Sequence, residues 1–440
     1  MTDAFTDRLV ADGATMLVGT TWNPGGLILA KTVPIPRAAA FVETGLGASY
    51  TWHAFTIDQG GIAYTDRIGA VGDQRMRIDP DAVRVLPGGL AWGPMRFETQ
   101  EGEVVPECTR SRLAAIEAEL AAEGLTALVG HELEMLLFDA DGAPLSPLGW
   151  APYGLAGTIR FEAFIADVYA QAEAVGLPIE QLHCEYGMQQ IELSLAPATP
   201  VEAADRLVLM RLVLGRVARD HGLRISFSPR PRTDSAGNGA HQHVSLARDG
   251  VPLLGGGDGP HGITAEGASA IAGIVHALPE LQGALAGSLL SASRLVPGMW
   301  AGAWATWGLE NREAAVRLIA GRSPNVEVKV VDPSTSAYVA SAAILGAALA
   351  GIRDGRELGP EATGDPGGMS ESEREDAGIV PLTSDLATAL DRLEAGPTAR
   401  AALGDELVDA IVAQRRFEIE HHGDLDDEAA VERFRFAWSV

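Results

Sequence analysis

The stretch GNGAHQHVSL, residues 237–246, places two of the chain's ten histidines two positions apart, behind a glycine-rich turn and at the head of an alternating apolar segment. Alternation of that kind marks a strand, on which every second side chain points to the same face, so His241 and His243 share a side. Taken alone, the pair is described as well by strand-end histidines bonded to their neighbours as by ligands of an ion. Other ligating side chains in compatible places would decide between the two.

Three further segments supply candidates. In GHELEMLLF (130–138), Glu132 and Glu134 stand two apart within an otherwise apolar run. On one face of a buried strand they would repel each other and resist desolvation unless a cation or a proton lay between them; a half-exposed edge with solvated glutamates is the plainer alternative. A zincin motif is excluded, because the position four after His131 is Met135. In HCEYGMQQIEL (183–193), Glu185 and Glu192 flank a glycine-bearing turn, and in NVEVKVVDPSTSAY (325–338) Glu327 alternates with apolar neighbours. Together, five carboxylates and a histidine on strands fit two hard divalent cations. Oxygen donors suit Mg²⁺ or Mn²⁺, and an imidazole tips the balance slightly towards Mn²⁺.

Arg294, Arg312 and Arg317 recur around the glycine-rich run SRLVPGMWAGAWATWGLENREAAVRL. Arginine forks bind carboxylate and phosphate; Arg312 and Arg317 are alternatively ordinary helix-surface charges. No Gly-Lys pair exists, which excludes a P-loop; GGGDG (255–259) lacks the spacing of a dinucleotide fingerprint and reads as a hairpin turn. The EIEHH stretch (418–422) reads as a solvated helix face rather than a metal site.

A net charge of −26 argues against non-specific binding to nucleic acid or to anionic membranes. Only two lysines occur, Lys31 and Lys329, so nearly all positive charge is arginine. Two cysteines, Cys108 and Cys184, argue against a disulfide framework and fit a cytoplasmic setting, and the N-terminus shows no secretory signal. The apolar run 337–352 is too short for a membrane span and fits a buried helix.

Residues 17–105 are short β-like runs broken by Gly, Pro and Asp. A helix follows at 109–125, with Thr109 or Ser111 as its N-cap and Gly124 as its stop. The compositional change near 104 divides the chain into 1–104 and 105–440. Strands at 127–138, 183–196, 223–230 and through the HQH segment, between helices at 160–175, 201–221, 265–290 and 335–352, predict an α+β fold. Residues 358–375 read as a mobile polar loop.

GHELEMLLF, CEYGMQQIEL, RPRTDSAGNGAHQHVSL, SRLVPG, WGLENREAAVRL and EVKVVDPSTSAYVASAAILGAAL match, in order, the signature blocks of the glutamine synthetase superfamily. The resemblance covers roughly 70–440 well and the N-terminal part weakly. It implies a small β-grasp domain before a larger catalytic domain, whose curved antiparallel sheet and helices form a funnel-shaped site completed by a neighbouring subunit in hexameric rings, often stacked as dodecamers. By position, Glu134, Glu185 and Glu192 would hold one metal, and Glu132, His241 and Glu327 the other. His243, Glu180, Ser245 and Asn325 would contact ATP. The backbone of Gly237 and the side chain of Arg294 would hold glutamate, with Lys329 at a substrate or phosphate position, while Arg312 and Arg317 would stabilise the transferring phosphoryl group.

Three departures bear on the acceptor. Ammonia-using members carry Tyr-Glu after RLVPG, where this chain has Met299 and Trp300; an indole takes no proton but offers an apolar or cation–π wall. The aspartate of the ammonium pocket has only Asp58 as a candidate. Asn325 and Lys329 stand where the family has arginines. The adenylylated tyrosine has no counterpart in 358–375. The resemblance so modified implies an ATP-dependent ligase joining glutamate to a small primary amine (ethanolamine, a monoamine or a polyamine) through γ-glutamyl phosphate. The alternatives are a glutamine synthetase using ammonia and a non-catalytic ring-forming relative.

Overall fold

The computed structural model describes residues 2–58 and 60–440. Two sheets organise the α+β fold. The first contains β1 (Met16–Trp22), β2 (Ile28–Pro34), β3 (Leu46–Ser49), β4 (Asp73–Ile78), β5 (Arg84–Leu86) and β6 (Leu90–Glu98), in the spatial order β2-β1-β6-β4-β3 with β5 beside β6. The alternation legible in the sequence is the pleat: along β4, Gln74, Met76 and Ile78 turn inward while the arginines between them reach outward. One side of this sheet closes on its own core of Phe5, Leu17, Phe41, Met76 and Phe97. Val18, Trp22 and Trp92 instead join the main core of the molecule.

The second sheet has ten strands: β7 (Leu125–Asp139), β8 (Ile179–Cys184), β9 (Gln190–Ala198), β10 (Leu223–Ser226), β11 (Gln242–Arg248), β12 (Val251–Pro252), β13 (Trp304–Leu309), β14 (Ala314–Ile319), β15 (Asn325–Val328) and β16 (Val380–Pro381). Its main path runs β16-β13-β14-β15-β11-β7-β9-β8 and is antiparallel except where β13 lies parallel to β14. Helices Pro200–Asp220, Ala265–Leu285 and Ala337–Asp354 pack into the main core with these strands. The last two meet on glycine: a Cβ at Gly273 would lie 2.3 Å from Ala347 O, and one at Gly351 2.2 Å from Ser269 O. Helix Ala337–Asp354 is long and apolar enough to cross a membrane, but 72% of it is buried within the fold.

Several sequence expectations are corrected by local chemistry. Helix Thr109–Ala122 has Cys108 as its N-cap; the Thr109 hydroxyl donates to Trp22 O at 2.6 Å instead of capping. The strand expected over 183–196 is broken in two by the turn at 185–189, and that over 223–230 ends at Ser226. The helix expected over 265–290 stops at Leu285, ahead of a turn in which Ser288 and Ser291 bond each other. The hairpin turn after β11 is Asp249–Gly250, where both residues have positive φ, not GGGDG. Within 358–375, Ser370 and Glu373 form a capping box that starts helix Glu371–Asp376. In EIEHH, Glu418 and His422 are buried, Glu418 against the equally buried Arg415 at 2.8 Å. Cys108 and Cys184 are both buried free thiols.

Charged and aromatic side chains tie the first sheet to the helices behind the second. Arg211, fully buried, lies between the rings of Trp22 (4.4 Å) and Phe227 (4.5 Å) and donates to Pro333 O at 2.9 Å. Burial pushes its guanidinium down to about 9. Gly26 makes the close approach at the β1–β2 turn: its φ is +86°, and a Cβ there would fall 1.8 Å from Ser334 O. Arg110 holds Asp205 through two bonds of 2.9 and 2.8 Å and reaches Asp79, beyond β4, at 2.8 Å. Replacing Arg110 by Ala leaves the buried Asp205 without its cation. Such a change is expected to cost about 3–5 kcal/mol, read as a shift in the urea unfolding midpoint; a shift under a quarter of that would show the bridge to be dispensable.

Candidate active site

Strand register assembles the site. β11 lies between β7 and β15, with His243 opposite Glu327 on one side and Gly130 on the other. Across the β7–β9 ladder Glu134 faces Glu192, and His183 on β8 faces Glu192 from the other flank. The chain reaches β11 through a segment that tolerates almost no side chain. A Cβ at Gly237 would meet Pro229 O at 2.6 Å, and one at Gly239 would meet His241 Nε2 at 2.5 Å. Between them the buried Asn238 donates to Ser226 O and Ser228 O at 3.3 and 2.9 Å and accepts from Gln190 at 3.0 Å.

One cavity of about 630 Å³ results, and Glu132, Glu134, Glu185, Glu192, His241 and Glu327 all line it. His241 Nδ1 lies 3.2 Å from Glu132 and 3.1 Å from Glu327. Its Nε2 faces Arg294 Nη2 at 3.2 Å, and since a guanidinium only donates, the imidazole proton sits on Nδ1. His243 bonds Asn325 Oδ1 at 2.9 Å through Nδ1, and its Nε2 lies 3.0 Å from Glu132. Two triads each gather ligand atoms within 4.8 Å: Glu132, His243 and Glu327, and His183, Glu185 and Glu192. Glu134 stands apart from both triads, with one oxygen accepting from Gln190 at 2.7 Å and from Gly239 N at 2.9 Å.

The charges are unevenly satisfied. Burial, then the negative charges of Glu132, Glu134, Glu185 and Glu327, push Glu192 up to about 9. Burial also raises Glu185, against a hydrogen bond from Tyr153. For Glu132 and Glu327 burial acts upward too, but it is outweighed, at Glu132 by His241 and His243 and at Glu327 by His241 and Lys329, so both are held below the usual range. Lys329 Nζ lies 2.9 Å and Arg317 Nη1 3.1 Å from Glu327. Arg294 is buried, and its guanidinium also donates to the Lys329 and Val330 carbonyls. Arg312 lines the cavity, its guanidinium 5.9 Å from the Trp300 ring.

The structure places five candidates outside the lining, His243 and four others. Glu180 is exposed on β8, Ser245 lies two residues beyond His243 on β11, and Asn325 serves as the partner of His243. Asp58 packs against His422 at 3.3 Å. Burial would raise its carboxyl, but the Gly61 N–H, the Thr56 hydroxyl, the Gly60 N–H and His422 together hold it at about 2. Sequence reasoning missed His183, although its two-residue spacing from Glu185 repeats the HxH logic. It also missed Tyr153, whose hydroxyl donates to Glu185 at 2.9 Å, Gln190, and Glu313.

Glu313, 7% exposed, accepts from Gly298 N at 3.1 Å and from Trp300 N at 3.0 Å. These bonds hold Trp300, 49% exposed, in a left-handed conformation at φ +55°. Trp300→Gly removes a strain of about 1 kcal/mol and is expected to keep or raise the urea midpoint. Glu313→Ala, which orphans two N–H groups, is expected to lower stability by about 2 kcal/mol. The opposite ranking would show that the loop is not held this way.

Residues 106–434 match the family described as glutamine synthetase, catalytic domain. The chain is 35% identical to the gamma-glutamylpolyamine synthetase GlnA3 of Streptomyces coelicolor, over 99% of its own length and 96% of that protein. Its fold superposes on a crystal structure of a novel glutamine synthase homolog with a TM-score of 0.84 at 28% identity, covering 96% of this chain and 98% of that one. A GmaS/ADP complex shares the fold with a TM-score of 0.85 at 24% identity, over 97% of this chain and 98% of that one. Motif blocks, architecture and whole-length similarity therefore converge: the chain belongs to the glutamine synthetase family.

Proposed function

We propose that this protein is an ATP-dependent ligase that joins the γ-carboxylate of glutamate to a small primary amine. The observation that carries the reading is the composition of a single cavity: five carboxylates and His241 stand with Arg294, Arg312, Arg317 and Lys329, while position 300 bears an indole in place of a carboxylate. The relative named for polyamine glutamylation supports an organic amine as acceptor.

The donor set fits two hard divalent cations. A carboxyl raised to about 9 by burial and four other carboxylates, and a Glu185 oxygen buried without a partner, are sites whose charge and lone pairs a cation would satisfy. Glu134, Glu185 and Glu192 would hold one ion, and Glu132, His241 and Glu327 the other; Mg²⁺ or Mn²⁺ would supply neutralisation of phosphoryl oxygens. Arg294 and the backbone of Gly237 would orient glutamate, and His243, Asn325, Ser245 and Glu180 the nucleotide. Arg312 and Arg317 would take up negative charge as the γ-phosphoryl passes from ATP to the glutamate carboxylate, with Lys329 beside them. The amine, as its free base, then attacks the acyl phosphate carbon; the C–O bond to phosphate breaks, the departing phosphate takes up the proton shed by nitrogen, and the amide remains. Trp300 walls the acceptor position without accepting a proton. Asp58, which does not line its own chain's cavity, would contribute to the site of a neighbouring subunit in a homo-oligomeric ring.

A coupled ADP-release assay with glutamate and a panel of primary amines is expected to give higher kcat/KM with the best amine than with ammonium; equal turnover of ammonium and every amine would refute the reading. Metal binding has a separate signature. Glu192 keeps its proton below about 9, so adding Mn²⁺ at pH 7.5 is expected to release about one proton per chain. The release should fade as the pH rises through 9 and vanish in Glu192→Gln. Indicator-dye titration of the metal-free protein reads this directly, and binding without proton release would remove Glu192 from the ligand set.

A further inference from the structure

A second cavity, of about 560 Å³, adjoins the first. Tyr186, Arg230, Ala236 and Met299 border both, so the two are contiguous. Beyond that shared border the second is walled by Trp150, Met188 and Val296. Its part of the border at Met299 is fixed, because the Glu313 carboxylate grips the backbone on either side of that residue, at Gly298 and Trp300.

Charge in this cavity is one-sided. Its single carboxylate, Asp234, is taken by Arg232 through two bonds of 2.7 Å each. Arg230 donates to Thr233 O at 2.8 Å and is paired with no carboxylate among the described residues. A cationic substituent would find aromatic faces here, but also two guanidiniums, of Arg230 and Arg232, that share the one carboxylate of Asp234, and repulsion between full charges at short range is the stronger effect. An uncharged hydrocarbon finds only gain, since it covers apolar walls that otherwise face water.

We propose that this second cavity receives the substituent of the acceptor amine and selects an uncharged one, so that the substrate class is alkyl or aryl monoamines rather than diamines or polyamines. The proposal rests on the ligase reading and deepens it. The amine nitrogen lies in the first cavity, beside Trp300, and the tail crosses the Tyr186–Met299 border into the second.

The test is the coupled ADP assay on the full chain with n-alkylamines from methylamine to hexylamine, and with 1,4-diaminobutane against n-butylamine. Once the tail crosses the border, kcat/KM is expected to rise about fourfold per added methylene, through KM, and n-butylamine should exceed its diamine analogue at least tenfold. Met188→Trp, or Val296→Trp should the first fold poorly, is expected to erase the gain for hexylamine and leave methylamine unchanged. Arg230→Gln should narrow the gap between butylamine and the diamine. A flat or falling length series, or preference for the diamine, in an enzyme that does release ADP would overturn this proposal alone. So would tryptophan variants that change the native mass and leave the amine profile untouched, which would mean that a second copy covers the cavity. Absence of ADP release with every amine would overturn the ligase reading, and this proposal with it.

Discussion

Five glutamates that repel one another are held in one cavity. On β7 and β9, Glu134 and Glu192 are direct cross-strand partners, an arrangement that destabilises a sheet when both are charged. Each buried carboxylate also carries a desolvation cost of several kcal/mol. The protein answers this only in part. Lys329 and Arg317 neutralise Glu327, and His241 bridges Glu132 and Glu327, but among the described residues no lysine or arginine pairs with Glu192, and His183 stands 3.8 Å away. A fold that keeps such a defect has rigid surroundings to absorb it. Here they are the long β7 strand, paired on both edges, and the Gly-Asn-Gly passage whose Asn238 is bonded on every side.

The repulsion is also the reason the site was legible before the structure. Charged residues at two-residue spacing within apolar strands are rare and costly, so Glu132, Glu134, His241, His243 and Glu327 stand out from sequence alone, and the strands that carry them were found with them. What stayed hidden depends on approach in three dimensions. Glu313 is one acidic residue in ENREAAV, and nothing in that string says that its carboxylate folds back on the backbone of residues 298 and 300. Tyr153 comes from a Gly- and Pro-rich loop without periodicity, and its role exists only because that loop returns to Glu185. EIEHH was misread because helical periodicity does not reveal that Arg415, one turn earlier, is buried with Glu418.

The first sheet is bound to the second by contacts that are themselves demanding. Arg211 between two rings, Arg110 between two aspartates and Gly26 against Ser334 O each require a particular residue at a particular place. Pro333 and Ser334, which receive two of these contacts, lie five and six residues beyond Val328, the last residue of β15, the strand that carries Glu327. Docking of the N-terminal sheet and placement of a site carboxylate thus share one short run of chain.

The glycine contact between helices Ala265–Leu285 and Ala337–Asp354 has its own consequence. Backbone presses on backbone at Gly273 and Gly351, so even a methyl group at either position wedges apart two core helices. In a saturation library scored for folded yield, those two codons would therefore be among the least substitutable in the gene, although neither residue lines either cavity. Intolerance to change would map the scaffold's tightest seam as sharply as it maps the chemistry.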